Sequence, residues 1–176
     1  MTFRQFLKIL PLASIVAIAF PVAADDVMVH YQYTQKPQVD FSKAPKGALK
    51  VADFTDKRDG TAANQIGNAT VEASVAEIVN NALKQSFIAG GAALVEDGQA
   101  LTLDGEITEV SVVEKSGQQE VTIRTHVTLR AGGRTAFDTV IFGRASDADL
   151  GTAIRGALDR LVNSLILDDY FLMEVI

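Results

Sequence analysis

Two periodicities divide the chain. Over residues 27–34 apolar and polar positions alternate, with Val27, Val29, Tyr31 and Tyr33 on one side and Met28, His30, Gln32 and Thr34 on the other. That is the mark of an extended strand. Residues 49–54 predict a second, short strand, and between the two Pro37 and Pro45 mark a connector. The period then changes. Val71, Val75, Ile78, Val79, Ala82, Leu83 and Phe87 recur at three- and four-residue steps, one apolar stripe on a helix, with Thr70 as the expected N-cap and Gly90-Gly91 as the stop. A second stripe, from Leu150 through Ile154, Leu158 and Leu161 to Ile166, predicts another amphipathic helix. Ser146 is its expected cap and Asp168-Asp169 its end. The apolar tail at 170–176 is expected to dock on the domain, because left free it would form an exposed patch.

Between the helices the period returns to two. A short strand is expected at 93–95, before the Asp97-Gly98 turn. Leu101, Leu103 and Ile107 then hold odd positions, whereas Val110 and Val112 hold even ones. A strand keeps one buried face across that switch only by inserting a residue, which predicts a β-bulge near Thr108-Glu109. After a turn at 115–118, Val121, Ile123, Thr125, Val127, Leu129 and Ala131 alternate with Glu120, Thr122, Arg124, His126, Thr128 and Arg130. One face is dry and one wet, as in an antiparallel sheet. Gly132-Gly133 fits a tight hairpin turn, and 135–144 returns as the next strand. The expected class is α+β, a mostly antiparallel sheet with two amphipathic helices packed on one face, in the order strand, strand, helix, strands, helix.

The first residues alter where this domain is expected to work. Arg4 and Lys8 precede an apolar run at 9–20, and Pro21-Val22-Ala23-Ala24 follows. These are the parts of a secretory signal peptide, with cleavage expected after Ala24. The run is shorter than the ~20 apolar residues a bilayer span needs. A single domain at 25–176 then matures into the periplasm or beyond. Removing residues 1–24 takes away Arg4 and Lys8 and no acid, so the formal charge moves from −6 to −8. Charge of that sign argues against nucleic acid and lipid phosphate as partners. The chain has no cysteine. It can hold no disulfide, no thiolate metal site and no lipid on an N-terminal cysteine, and no membrane span or lipid anchor is expected.

Candidate chemistry is sparse. The two histidines, His30 and His126, have no diagnostic nucleophile spacing and no G-x-S-x-G elbow beside them. No cofactor or metal site is expected. The acids of 53–60 fall every third position rather than every second, so the stretch does not fit a calcium loop. The turn-rich segment 55–70 reads as the longest loop of the domain, and loops that long are often functional. Lys57, Arg58 and Asp59 are its expected exposed charges and the candidate binding residues.

The run Leu49-Lys50-Val51-Ala52-Asp53-Phe54-Thr55-Asp56-Lys57-Arg58, followed by Ile66-Gly67, resembles the opening "strand, Asp-x-Arg, Ile-Gly" of the YajG-type lipoprotein family. The ending Leu165-Ile166-Leu167-Asp168-Asp169 with its apolar tail is similar to that family's last helix. The resemblance implies a cell-envelope protein of a Gram-negative bacterium without an assigned activity. One departure bears on anchoring: Asp25 stands where the lipid-bearing cysteine of such proteins would be. The expectation is a non-enzymatic periplasmic module that binds an envelope protein through 55–68 or a sheet edge. The alternative is a small hydrolase or ligand-binding protein with a site around His126, drawing on Arg124 and nearby carboxylates. The wet face of Arg124, His126 and Arg130 mixes charges and threonines without an aromatic anchor, which argues against a strong interface there.

Overall fold

The computed structural model describes residues 26–43, 49–97 and 100–176; the leader read at 1–24, Pro45 and Gly98 lie outside them. In chain order the elements are β1 (Asp26–Val27), β2 (Leu49–Val51), β3 (Thr55–Asp56), β4 (Gln65–Ile66), β5 (Ala69–Val71), α1 (Val75–Ala89), β6 (Leu101–Lys115), β7 (Gln118–Ala131), β8 (Arg134–Asp147), α2 (Leu150–Ile166) and α3 (Asp169–Val175).

The alternating N-terminal segment keeps its two faces but is a strand only at β1. Val29 is buried, Tyr31 and Tyr33 are half-buried, and Met28, His30, Gln32 and Thr34 are exposed. Beyond β1 the chain crosses both long helices, turning once at His30 (φ 40°), and side chains meet its backbone. The Glu72 carboxylate accepts from the N–H groups of Val29 (2.9 Å) and His30 (2.8 Å). Gln85 of α1 accepts from Tyr33 N–H at 2.9 Å, and Arg155 of α2 donates to the Val29 carbonyl at 3.2 Å. The Tyr31 hydroxyl donates to Asp159 at 2.8 Å; burial first, then that carboxylate, push the phenol well above its ordinary range. A period of two reports an extended chain with one dry face, whether a strand or a helix lies beneath it. Burial raises the pKa of Glu72, but the N–H groups of Val29 and His30 outweigh it and hold the carboxyl below its usual range. Glu72→Ala is expected to lower stability by about 1 kcal/mol after allowance for its exposure. Hydrogen exchange at Val29 and His30 should then accelerate more than exchange in β7.

The long strands form the frame. The larger sheet has the order β2-β6-β7-β8, with β3 also on β6; the short strands β2 and β3 run parallel to β6, and β6-β7-β8 is an antiparallel meander. The parity switch in β6 is a bulge between Ile107 and Glu109, as the pattern requires. Gly132 and Gly133, at φ 56° and 81°, make the β7-β8 turn. Leu103, Ile107, Val121, Val127, Leu129 and Ile141 fill the inner face, on which α1 and α2 pack. The expected strand at 93–95 reduces to one bridge, Leu49 with Leu94.

Both helices begin later than their expected caps, Thr70 and Ser146, imply. Val71 belongs to β5, paired with β4 and β1, and α1 starts at Val75 with Ser74 accepting from Glu77 N–H at 3.2 Å. The signal is the capping box Ser74-Val75-Ala76-Glu77. Ser146 still lies in β8 opposite Glu120, so the cap of α2 is Asp149, which accepts from Thr152 N–H at 2.8 Å. The apolar tail is docked as expected, in the form of helix α3. Its Phe171 ring lies 6.0 Å from Phe87 and 5.6 Å from Phe137, and Phe87 meets Phe41 at 5.4 Å.

Candidate functional site

Residues 55–70 are an ordered lobe rather than one long loop, and Arg58 organises it. Residues two apart on extended chain share a side, so Arg58 reaches back to Asp56. Its Nε and Nη2 meet that carboxylate at 2.9 and 2.6 Å, Nη1 donates to the Gln65 carbonyl at 2.6 Å, and Nη2 reaches the carbonyls of Ala62 and Ala63 at 3.3 and 3.2 Å. The Arg58 side chain is 6 % exposed, which corrects its expected place among the exposed charges. Burial alone raises the pKa of Asp56; the Arg58 hydrogen bonds outweigh it and hold the carboxyl below its usual range. Lys57 does stand at the surface, 3.8 Å from Glu106, and Asp59 is exposed beside Gly60 (φ 66°). The Asp-x-Arg and Ile-Gly pieces meet in this lobe. Arg58 holds the carbonyl before Ile66, Ile66 is buried, and Gly67 turns at φ 59° against Val112.

The outward face of β6-β7-β8 carries the remaining candidates. Arg124 Nε lies 3.0 Å from Glu109, and its guanidinium sits over the Phe142 ring, 5.3 Å from the centroid. His126 Nε2 pairs with Asp138 of β8. Arg130 Nε donates to Asp104 at 2.8 Å, and Arg144 Nε donates to Thr122 Oγ1 at 3.2 Å. Val140 and Phe142 point outward at 51 % and 48 % exposure. The face thus has the aromatic anchor that β7 alone lacks. Phe142 comes from β8, whose even positions share the wet side of Arg124 and His126.

His126 stands on this open surface beside a half-exposed Asp138. The larger clefts lie elsewhere. One, about 440 Å³, opens between Val27, Ile66, Gly67, Val112 and Leu150, and a second, about 400 Å³, is lined by Asp53, Ser74, Glu77, Asn81 and Lys84. Among the described residues no group of three His, Asp or Glu side chains is placed to hold a metal ion. No described helix is long and apolar enough to cross a membrane.

β8 ends the larger sheet, and among the described residues no strand pairs with its far side. Arg160 Nη1 of α2 donates to the Arg144 carbonyl at that edge.

The architecture defines a class: an α+β domain in which a long antiparallel meander, extended by two short parallel strands, carries its two long helices on one face. Protein XCC0632 from Xanthomonas campestris, described by the family model DUF330, shares this fold at a TM-score of 0.60 and 15 % identity, over 80 % of this chain and 92 % of that one. The hypothetical protein CT253 from Chlamydia trachomatis shares it at 0.55 and 8 % identity, over 69 % of this chain and 94 % of that one. A minor lipoprotein from Acinetobacter baumannii is similar at 0.39 and 16 % identity, over 68 % and 93 %. No family model matches the chain, and no curated protein sequence does.

Proposed function

We propose that this chain is a non-enzymatic, protein-binding module of the bacterial cell envelope, allied to the YajG-type lipoproteins but released without a lipid. Export rests on the basic and apolar leader at 1–24 and release on the absence of cysteine. The observation that carries binding is the exposed Val140 and Phe142 pair, ringed by Arg124, His126 and Asp138, beside a strand edge with which no described strand pairs. An aromatic and arginine anchor with a polar rim is the composition of a protein interface. The hydrolase reading gains nothing from the setting of His126, since a flat face open to water offers a proton-transferring group no enclosure.

Cross-linking in intact envelope tests this reading. Phe142→Ser is expected to lose the cross-linked species at unchanged melting temperature. Reversing the charges of Lys57 and Asp59 is expected to leave them in place. The same species in all three proteins would remove the outer face as a binding surface.

A further inference from the structure

We infer that the open edge of β8 pairs with the β8 edge of a second copy of this chain, antiparallel, about a two-fold axis at Ile141. The inference rests on reading the outer face and this edge as a protein-binding surface, and names its occupant.

The backbone fixes which groups are free. A two-residue turn is closed by a hydrogen-bonded pair, here Ala131 with Arg134 around Gly132-Gly133. The odd residues of β7 therefore bond to β8 and the even ones to β6. The other turn, Ser116-Gly117, closed by Lys115 and Gln118, gives the same phase. In β8 one residue is added where Leu129 pairs with Phe137 and Arg130 with Thr135. Beyond that bulge Thr139, Ile141, Gly143 and Ala145 bond to β7, and Asp138, Val140, Phe142 and Arg144 turn their N–H and C=O groups to the open edge. The hydrogen bond from Arg160 to the Arg144 carbonyl lies on that side. These same four side chains stand on the outer face, so a strand added here meets a row of acid, valine, phenylalanine and base.

That row is complementary to its own reverse. A parallel second copy in register sets Asp138 beside Asp138 and Arg144 beside Arg144, like charges on adjacent strands. Antiparallel pairing that respects the hydrogen-bond phase has three central registers. With the axis at Val140, Asp138 faces Phe142 and Arg144 faces Ala136. With the axis at Phe142, Val140 faces Arg144 and Asp138 faces Ser146. With the axis at Ile141, Asp138 faces Arg144 and Val140 faces Phe142, and symmetry repeats both pairs. Only this register sets acid against base and apolar against apolar throughout. The strand has no proline and no lysine, two of the guards of a long edge, and its one bulge, at Ala136, lies outside the stretch from Asp138 to Arg144. Arg160 is the side chain seen on it, and the second copy's Asp138 N–H takes its place on the Arg144 carbonyl.

Because the chain has no cysteine, single-cysteine variants report the register. Val140→Cys and Phe142→Cys are mixed and oxidised, and the expected product is the disulfide between the two variants. Val140→Cys joined only to itself, or Phe142→Cys joined only to itself, overturns the axis at Ile141. Sedimentation of the purified full chain is expected to show a dimer, weakened roughly tenfold by Asp138→Arg or by Arg144→Asp through two like-charged cross-strand pairs. The double variant is expected to return to the parent's affinity, which separates pairing from misfolding. Arg160→Ala is expected to tighten the dimer. A monomer at every concentration, with no disulfide formed, overturns the second copy as occupant. If the Phe142-dependent envelope cross-link to another protein persists in that case, the protein-binding reading stands and this inference alone falls; if that is lost as well, both fall.

Discussion

Gly143→Ala is expected to be the most damaging alanine substitution among the described glycines. A Cβ at Gly143 would lie 1.8 Å from the Ala157 carbonyl oxygen and 2.6 Å from the Leu161 nitrogen. Both are backbone atoms of α2, so no rotamer change relieves the contact. The helix must lift from β8, and with it the fully buried Ala157, Leu158, Leu161 and Val162 loose their seat. Overpacking a core usually costs 1–3 kcal/mol, and a clash with fixed backbone belongs at about 3 kcal/mol or above. For a domain of this size that is roughly a 10 °C fall in melting temperature. Val140→Ala, on the outer face of the same strand, is expected to stay within about 0.5 kcal/mol. A Gly143→Ala protein that melts within 2 °C or so of its parent would show that α2 does not rest on the β8 backbone.

The same glycine shows what is legible in a sequence. A glycine inside a strand pattern marks a close backbone approach, yet nothing in the order of residues says that α2 makes it. Local devices were readable. The parity switch between Ile107 and Val110 demanded a bulge, and the bulge is there; Gly132-Gly133 demanded a tight turn, and both residues have positive φ. Devices that depend on what lies opposite were not. Val29, Tyr31 and Tyr33 alternate as in a strand because their dry side rests on helices, and Glu72, Gln85 and Arg155 replace the ladder. Val71 stands four residues before Val75 and so extends the helical stripe by coincidence, while its own backbone pairs in β5.

The outer face divides in the same way. Arg124 and His126 were visible on β7, but the anchor between them is supplied by the neighbouring strand. In 135–144 apolar residues occupy both parities, Phe137 and Ile141 inward, Val140 and Phe142 outward. That double occupancy is the sequence sign of a strand whose wet side is partly apolar. Lys57, Arg58 and Asp59 all read as exposed charges because the polarity of a segment is visible in its sequence and the hydrogen-bond partners of each side chain are not. The guanidinium of Arg58 has five donors in a fixed fork, and a lobe built from short bridges has free carbonyls to receive them.

Arg58→Ala is accordingly expected to unfold the lobe rather than to remove a surface contact. It strips the partner from Asp56, whose side chain is 14 % exposed, and takes donors from the carbonyls of Gln65, Ala62 and Ala63. Breaking such a pair on one side costs about 3 kcal/mol, again roughly 10 °C in melting temperature. Arg58→Lys keeps the charge without the fork and should recover less than half of the loss. Acid gives the second readout. The folded pKa of Asp56 is lowered, so its contribution is present in full above the unfolded value of about 3.9 and fades as pH falls through the folded one. The stability gap between parent and Asp56→Asn should therefore be constant from neutrality to about pH 5 and narrow below about pH 4. Glu72, also lowered, adds to the acid loss of both proteins with the same sign, so the difference isolates Asp56. Equal melting temperatures for parent and Arg58→Ala, with parallel acid limbs for parent and Asp56→Asn, would return Arg58 to the surface charges and leave the lobe without its organising pair.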